Sequence, residues 1–224
     1  MKSETLNFDT ANGETIAYAA VPDNKTDETK AVILIHEWWG LTDHIKDIAG
    51  RYADEGFVCI APDLYRGKTT TDAGEASKLM ENLEIEDGVD TIKNAIAKAR
   101  DEYGNNHFGI TGFCMGGTYT VQAACRLEEG ISAAAAFYGD PPSEDVLKDL
   151  AVPLVFISGK KDEWITPEKV EKLEKIADEN ELDVDSIKYE AGHAFFNDTR
   201  PEAYDETSAR DAWAKVIGFF NDKL

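Results

Sequence analysis

The chain has 224 residues, 42% of them hydrophobic, and sets 23 Lys plus Arg against 44 Asp plus Glu for a net charge of −21. That length suits a single domain over 1–224, which would bury roughly 70% or more of the surface its unfolded form exposes and needs no disulfide to hold a core. A strongly negative chain repels phosphate backbones and anionic lipids, so neither nucleic acid nor a membrane surface is an expected partner.

The first element expected is a strand over Thr15–Ala20, entered from the Asn12-Gly13 turn. A charged loop spans Asp23 to Lys30. Ala31–Ile35 (AVILI) is a continuous apolar run, the pattern of a strand buried on both faces. Thr42–Glu55 has helical spacing, with Ile45, Ile48, Ala49 and Tyr52 on one side, and stops at Gly56. Phe57–Ala61 (FVCIA) is a second buried strand, closed by Pro62-Asp63. A small polar excursion covers Lys68 to Gly74, and helical patterns follow over Ala73–Leu83 and Ile85–Glu102. Phe108–Thr111 is a strand, Gly117–Glu128 a helix, and Ile131–Tyr138 and Leu154–Ser158 are strands. The spacing then predicts a helix over Pro167–Asn180, a strand over Val184–Tyr189 and a closing helix over Asp205–Asn221. That last helix should bury Ala209, Ala212, Trp213, Val216, Ile217 and Phe220. Strands alternating with helices give an α/β fold, a mostly parallel sheet with helices on both faces. Sites in such sheets lie beyond the carboxyl ends of the strands.

The acidic residues are spread along the chain, with clusters at Glu179-Asn180-Glu181 and Asp183-Val184-Asp185. A well-solvated surface accounts for them; adaptation to high salt, where screening shortens self-repulsion, is the sharper expectation. Cys59, Cys114 and Cys125 are odd in number and form no C-x-x-C pair, which argues against a disulfide or zinc framework. The first ten residues carry no apolar signal core, and no run approaches the length of a membrane helix, so a cytoplasmic protein is expected.

The strongest chemical signal is Gly112-Phe113-Cys114-Met115-Gly116-Gly117, between a strand and a helix. It is the G-x-S-x-G nucleophile elbow with cysteine for serine. The following helix aims its N-terminus at Cys114, which favours thiolate. Cys59, inside an apolar strand, and Cys125, inside a helix, lack that context and suit core positions. A cysteine nucleophile needs a base, and the base needs a group that fixes its tautomer. His193, in Ala191-Gly192-His193-Ala194-Phe195, is the only histidine downstream of Cys114. Asp162 follows the strand Leu154–Ser158 and is the expected orienting acid, with Glu163 as its neighbouring rival. The oxyanion hole should use the backbone N–H of Met115 and of Trp38, the latter in His36-Glu37-Trp38-Trp39-Gly40 after the first buried strand. Glu37, a charged residue at the end of a buried strand, is expected to face Cys114, accept a hydrogen bond from the thiol and raise its pKa. Two other classes compete with an enzyme: a binding module on the same scaffold, and a thiol-redox protein, for which no resolving cysteine stands near Cys114.

The motifs His36-Glu37-Trp38-Trp39-Gly40, Ala61-Pro62-Asp63-Leu64-Tyr65, Gly112 to Gly117 and Gly192-His193-Ala194-Phe195 resemble those of the dienelactone hydrolase family, the carboxymethylenebutenolidases. The likeness runs through the closing Ala212-Trp213 helix. It implies an α/β-hydrolase fold without a large cap, a Cys114–Asp162–His193 triad, Glu37 holding the resting thiol, and neither metal nor organic cofactor. It also implies a small-molecule lactone or ester as partner. Enzymes of that family hold the substrate carboxylate with arginines. Here Asn197 stands four residues after His193, and Thr69–Leu79 contains no arginine. Arg66 and Arg200 are the remaining candidates for that task.

Overall fold

The computed structural model describes residues 1–224. The chain opens with a hairpin, β1 (Lys2–Thr10) and β2 (Gly13–Val21), paired antiparallel with Thr10 opposite Gly13. There follow β3 (Ala31–Ile35), α1 (Asp43–Asp54), β4 (Val58–Pro62), α2 (Ala73–Glu81) and α3 (Ile85–Tyr103). Next come β5 (Phe108–Phe113), α4 (Met115–Arg126), β6 (Ile131–Phe137) and a short α5 (Glu144–Leu147). The chain ends with β7 (Leu154–Gly159), α6 (Pro167–Glu179), β8 (Val184–Tyr189) and α7 (Glu206–Lys223).

All eight strands form one sheet in the order β1-β2-β4-β3-β5-β6-β7-β8. β2 pairs antiparallel with β4, and every pairing from β4 to β8 is parallel. Every residue of β3, β4, β5 and β7 is buried, as continuous apolar runs demand. From β3 the chain runs outward to β4 and then returns to β5 on the other side. Right-handed crossovers therefore put α1 on one face of the sheet and α3 and α4 on the other. α7 joins α1 through Tyr52, whose ring lies 4.5 Å from Trp213 and 6.4 Å from Phe220. Phe220, fully buried, contributes roughly 1.5–3 kcal/mol by leaving water. Trp213 itself is only half-buried, against the expectation, because it covers the outer edge of that aromatic cluster.

Two elements were not foreseen. β1 carries only Leu6 and Phe8 among nine residues, and Leu6 alone is buried. A sheet edge open to water needs few apolar side chains, and charged ones blunt it against further pairing. α5 is a four-residue turn too short to show a period. No helix is long and apolar enough to cross a membrane.

The reversal between β3 and β5 decides where chemistry can occur. Ile35 pairs with Gly112 at the carboxyl ends of these neighbouring strands. The loop after β3 and the turn after β5 therefore open side by side, at the sheet's topological switch point.

Candidate active site

Cys114 sits between β5 and α4 at φ +55° and ψ −119°, a region that a side chain adopts only when its surroundings force it. They do so here. The Cys114 N–H donates to Phe137 O at 3.0 Å, and its carbonyl accepts the Thr118 N–H at 3.1 Å. The flanking glycines let backbones touch. A Cβ on Gly116 would lie 2.3 Å from Ile35 O, and one on Gly117 would lie 2.5 Å from Phe137 O. Gly139, which no sequence motif marked, faces Gly117 equally closely, since a Cβ there would lie 2.2 Å from its carbonyl carbon. α4 begins at Met115 rather than at Gly117, so Cys114 is itself the cap residue. Met115 thereby presents one of the first N–H groups of a helix, which have no partner within it.

The helix end does not win at this thiol. Burial pushes Cys114 up to about 12, the nearby Glu37 carboxylate adds to the rise, and the Met115 N–H offsets only part of it. The sulfur is a neutral thiol at rest. It makes no hydrogen bond to His193 or to Glu37.

His193 follows β8, and its Nδ1 lies 2.7 Å from Asp162 Oδ2. The two loops are tied together: the Lys160 N–H donates to Tyr189 O at 2.8 Å and the Lys161 N–H to Ala191 O at 3.0 Å. Asp162 Oδ1 accepts the N–H groups of Trp164 at 2.8 Å and Ile165 at 2.9 Å. Burial would raise this carboxyl, but the bonds from His193, Ile165 and Trp164 outweigh it and hold it below its usual range. An ionised carboxylate only accepts, so in the neutral imidazole the proton sits on Nδ1 and Nε2 carries the lone pair. Nε2 is buried and has no hydrogen-bond partner. Tyr138 and Trp164 pack on the ring, with centroids 5.0 and 4.7 Å away. Glu163, the rival acid, is exposed.

Glu37 departs from expectation. It is 3% exposed, but its Oε2 accepts from Asn197 Nδ2 at 2.8 Å rather than from the thiol. An amide N–H is a far better donor than S–H, and Asn197, on the loop after His193, reaches the carboxylate. Asn197 Oδ1 in turn accepts from Thr199 Oγ1 at 2.6 Å. Burial raises Glu37 to about 7, with the Asn197 bond and the charge of Arg200 opposing it. His36 is a brace: it is fully buried, with Nδ1 at 2.6 Å from Glu37 O and Nε2 accepting the Leu64 N–H at 3.1 Å. The Trp38 N–H makes no bond to the backbone.

Cys114, His193, Trp38 and Met115 open together into a cavity of about 390 Å³, walled also by Tyr119, Tyr138, Trp164 and Leu83. Neither candidate arginine lines it. Arg66 is held by Asp87 and Thr10, at 2.9 Å and 3.1 Å. Arg200 bonds Glu202 at 2.9 Å and lies over the Trp39 ring, 5.6 Å from its centre. Sequence reasoning missed Met80, Trp164 and Tyr138 as cavity walls; Trp164, an aromatic residue two positions after the expected acid, was the one available signal. No three His, Cys, Asp or Glu side chains converge as a metal-binding group.

The sequence profile of the dienelactone hydrolase family matches residues 16–224. Protein usf of Aquifex pyrophilus is 37% identical over 206 residues, covering 86% of this chain and 88% of its own. A candidate carboxymethylenebutenolidase of Aquifex aeolicus is also 37% identical over 206 residues, covering 87% of this chain and 88% of its own. The crystal structure of a candidate dienelactone hydrolase from Klebsiella pneumoniae superposes with a TM-score of 0.90 at 28% identity, over 99% of both chains. A parallel sheet, an elbow at its switch point and this likeness over nearly the whole length lead to one conclusion: the chain belongs to the dienelactone hydrolase family of carboxylic ester and lactone hydrolases, on an α/β-hydrolase fold without a large cap.

Proposed function

We propose that this hydrolase cleaves a lactone or small ester through a thioester on Cys114, with His193 as base and Asp162 orienting it. The observation that carries the reading is the His193 Nδ1–Asp162 Oδ2 contact of 2.7 Å, which in the neutral ring leaves the Nε2 lone pair free, on a side chain that lines the same cavity as Cys114.

The neutral thiol sets the order of events. A group pushed up to about 12 is not ionised in advance, so His193 Nε2 takes the proton as Cys114 Sγ attacks the carbonyl carbon. The carbonyl oxygen gathers negative charge between the N–H groups of Met115 and Trp38. As the C–O bond breaks, His193 returns the proton to the leaving alkoxide; in a lactone the alcohol stays on the same molecule. Water then attacks the thioester, His193 takes its proton, and the sulfur leaves with it as thiol. One ester and one water become one acid and one alcohol, and the enzyme is restored. Because Asn197 already holds the Glu37 carboxylate, no movement of Glu37 off the sulfur is needed. Its part is to oppose thiolate formation at rest by like charge.

The test is acyl trapping. Mixing with p-nitrophenyl acetate and quenching within a turnover should place one acetyl group on the peptide containing Cys114, and Cys114→Ala should lose both label and turnover. Turnover retained by Cys114→Ala ends this reading. A folded protein that neither turns over nor acylates is instead a ligand-binding module.

A further inference from the structure

We infer that the substrate is an uncharged, apolar ester or lactone, and that one carrying a carboxylate is disfavoured. The inference rests on Cys114 being the ester-cleaving nucleophile, and it names the chemistry of what that nucleophile meets.

Three independent observations converge. First, the walls: ten of the fourteen residues lining the Cys114 cavity are hydrophobic. Its volume of about 390 Å³ lies at the lower end of small-molecule pockets, which suits a single ring or a short chain. Second, the mouth. Apart from Met1, the large hydrophobic side chains left in water are Met80 and Trp164, at 37% and 54% exposure, and both line this cavity. An apolar guest would cover both. Third, the charges. The one cation in the lining, Lys169, is engaged by Asp140 of the same lining at 2.7 Å. Arg66 is bound by Asp87, and Arg200 by Glu202 outside the cavity. Against it stand Asp140 in the lining itself and, outside the lining, Glu37 and Asp162, each of whose charges acts on the sulfur more strongly than the opposing charge of Arg200. An incoming carboxylate finds no unpaired cation in the lining, with Asp140 in it and Glu37 and Asp162 close behind, and approaches a chain of net charge −21. Burying it there leaves it unpaired.

A matched pair of esters reads this out: methyl 4-acetoxybenzoate against 4-acetoxybenzoate, each kcat/KM divided by the rate of hydroxide hydrolysis. The neutral ester should be favoured at least tenfold. Met80→Arg, which sets a cation at the exposed mouth, should bring the ratio towards one. At 1 M KCl the Debye length is about 3 Å, so long-range repulsion is gone; persistence of the preference supports the cavity as its cause, and collapse to parity overturns it. Arg200→Gln should change the ratio less than twofold, and a selective loss of the anionic ester in that variant would overturn the inference, as would equal or preferred turnover of the anion by the native enzyme. If neither ester is hydrolysed, the thioester reading fails and the inference is still tested. Tryptophan fluorescence then compares binding of methyl 4-hydroxybenzoate and 4-hydroxybenzoate, and tighter binding of the anion overturns it.

Discussion

Two cavities share the Trp38-Trp39 wall and differ in almost every respect. On the Trp38 side lie Cys114, His193 and apolar walls. On the Trp39 side lies a cavity of about 440 Å³ lined by Glu37, His44, Asn197, Arg200 and the threonines 42, 70, 71 and 199. The indole rings stand 4.8 Å apart between them. The Trp39 side is thus mostly polar, whereas the Trp38 side is mostly apolar, with the Lys169–Asp140 pair as its charged groups. Glu37 still acts on the sulfur, because charge interactions cross a low-dielectric wall that solvent does not. Proximity to a charge and access to it are separate quantities here. The sulfur feels Glu37, whereas a substrate in the Cys114 cavity meets mainly carbon.

Removing the chemistry on the apolar side should have the largest effect. Cys114→Ala is expected to cost roughly 10⁴-fold or more in kcat/KM, with the thermal midpoint nearly unchanged. Asp162→Asn frees the imidazole to adopt the wrong tautomer and should cost about 10²–10⁴-fold in kcat; a loss under threefold would remove Asp162 from the mechanism. Gly117→Ala probes the frame beneath Cys114. Its Cβ meets backbone at 2.5 Å, and chemical denaturation should show a loss of roughly 1–3 kcal/mol.

Glu37→Gln tests the wall itself and should give the smallest change. Removing the carboxylate takes away the second cause of the high Cys114 pKa, so alkylation of Cys114 by iodoacetamide should speed up several-fold above pH 7. The difference should vanish as pH falls through about 7, where native Glu37 takes up its proton. Burial raises the folded-state pKa of Glu37 from 4.5 to about 7, so between those values the folded protein binds the extra proton. The native chain should therefore lose stability relative to Glu37→Gln as pH rises across that window. Equal alkylation rates at pH 8 would mean that the two sides of the wall do not communicate.

How much of this was legible beforehand depends on range along the chain. The elbow, the buried strands and the order Cys114, Asp162, His193 are written in patterns a few residues long. The β1 edge was illegible because a strand with one wet face needs few apolar residues. Gly139 carried no signal because its reason is Gly117, a neighbour only after β6 packs beside α4. The helix end at Cys114 favours a thiolate locally, but burial and Glu37, both set by tertiary structure, outweigh it.

By itself the amino-acid sequence determined the α/β alternation, the turn between β5 and α4 that holds Cys114, and the strand-end loops that hold Asp162 and His193, since each follows from local backbone preference or from a strand-end position. Only tertiary structure decided the rest. Asn197 takes the Glu37 carboxylate across 160 residues of chain. Arg66 and Arg200 are tied up outside the Cys114 cavity, and Met80 and Trp164, distant in sequence, both line it. Hydrogen bonds and burial depend on distance in space, and no local pattern encodes which distant side chain arrives first.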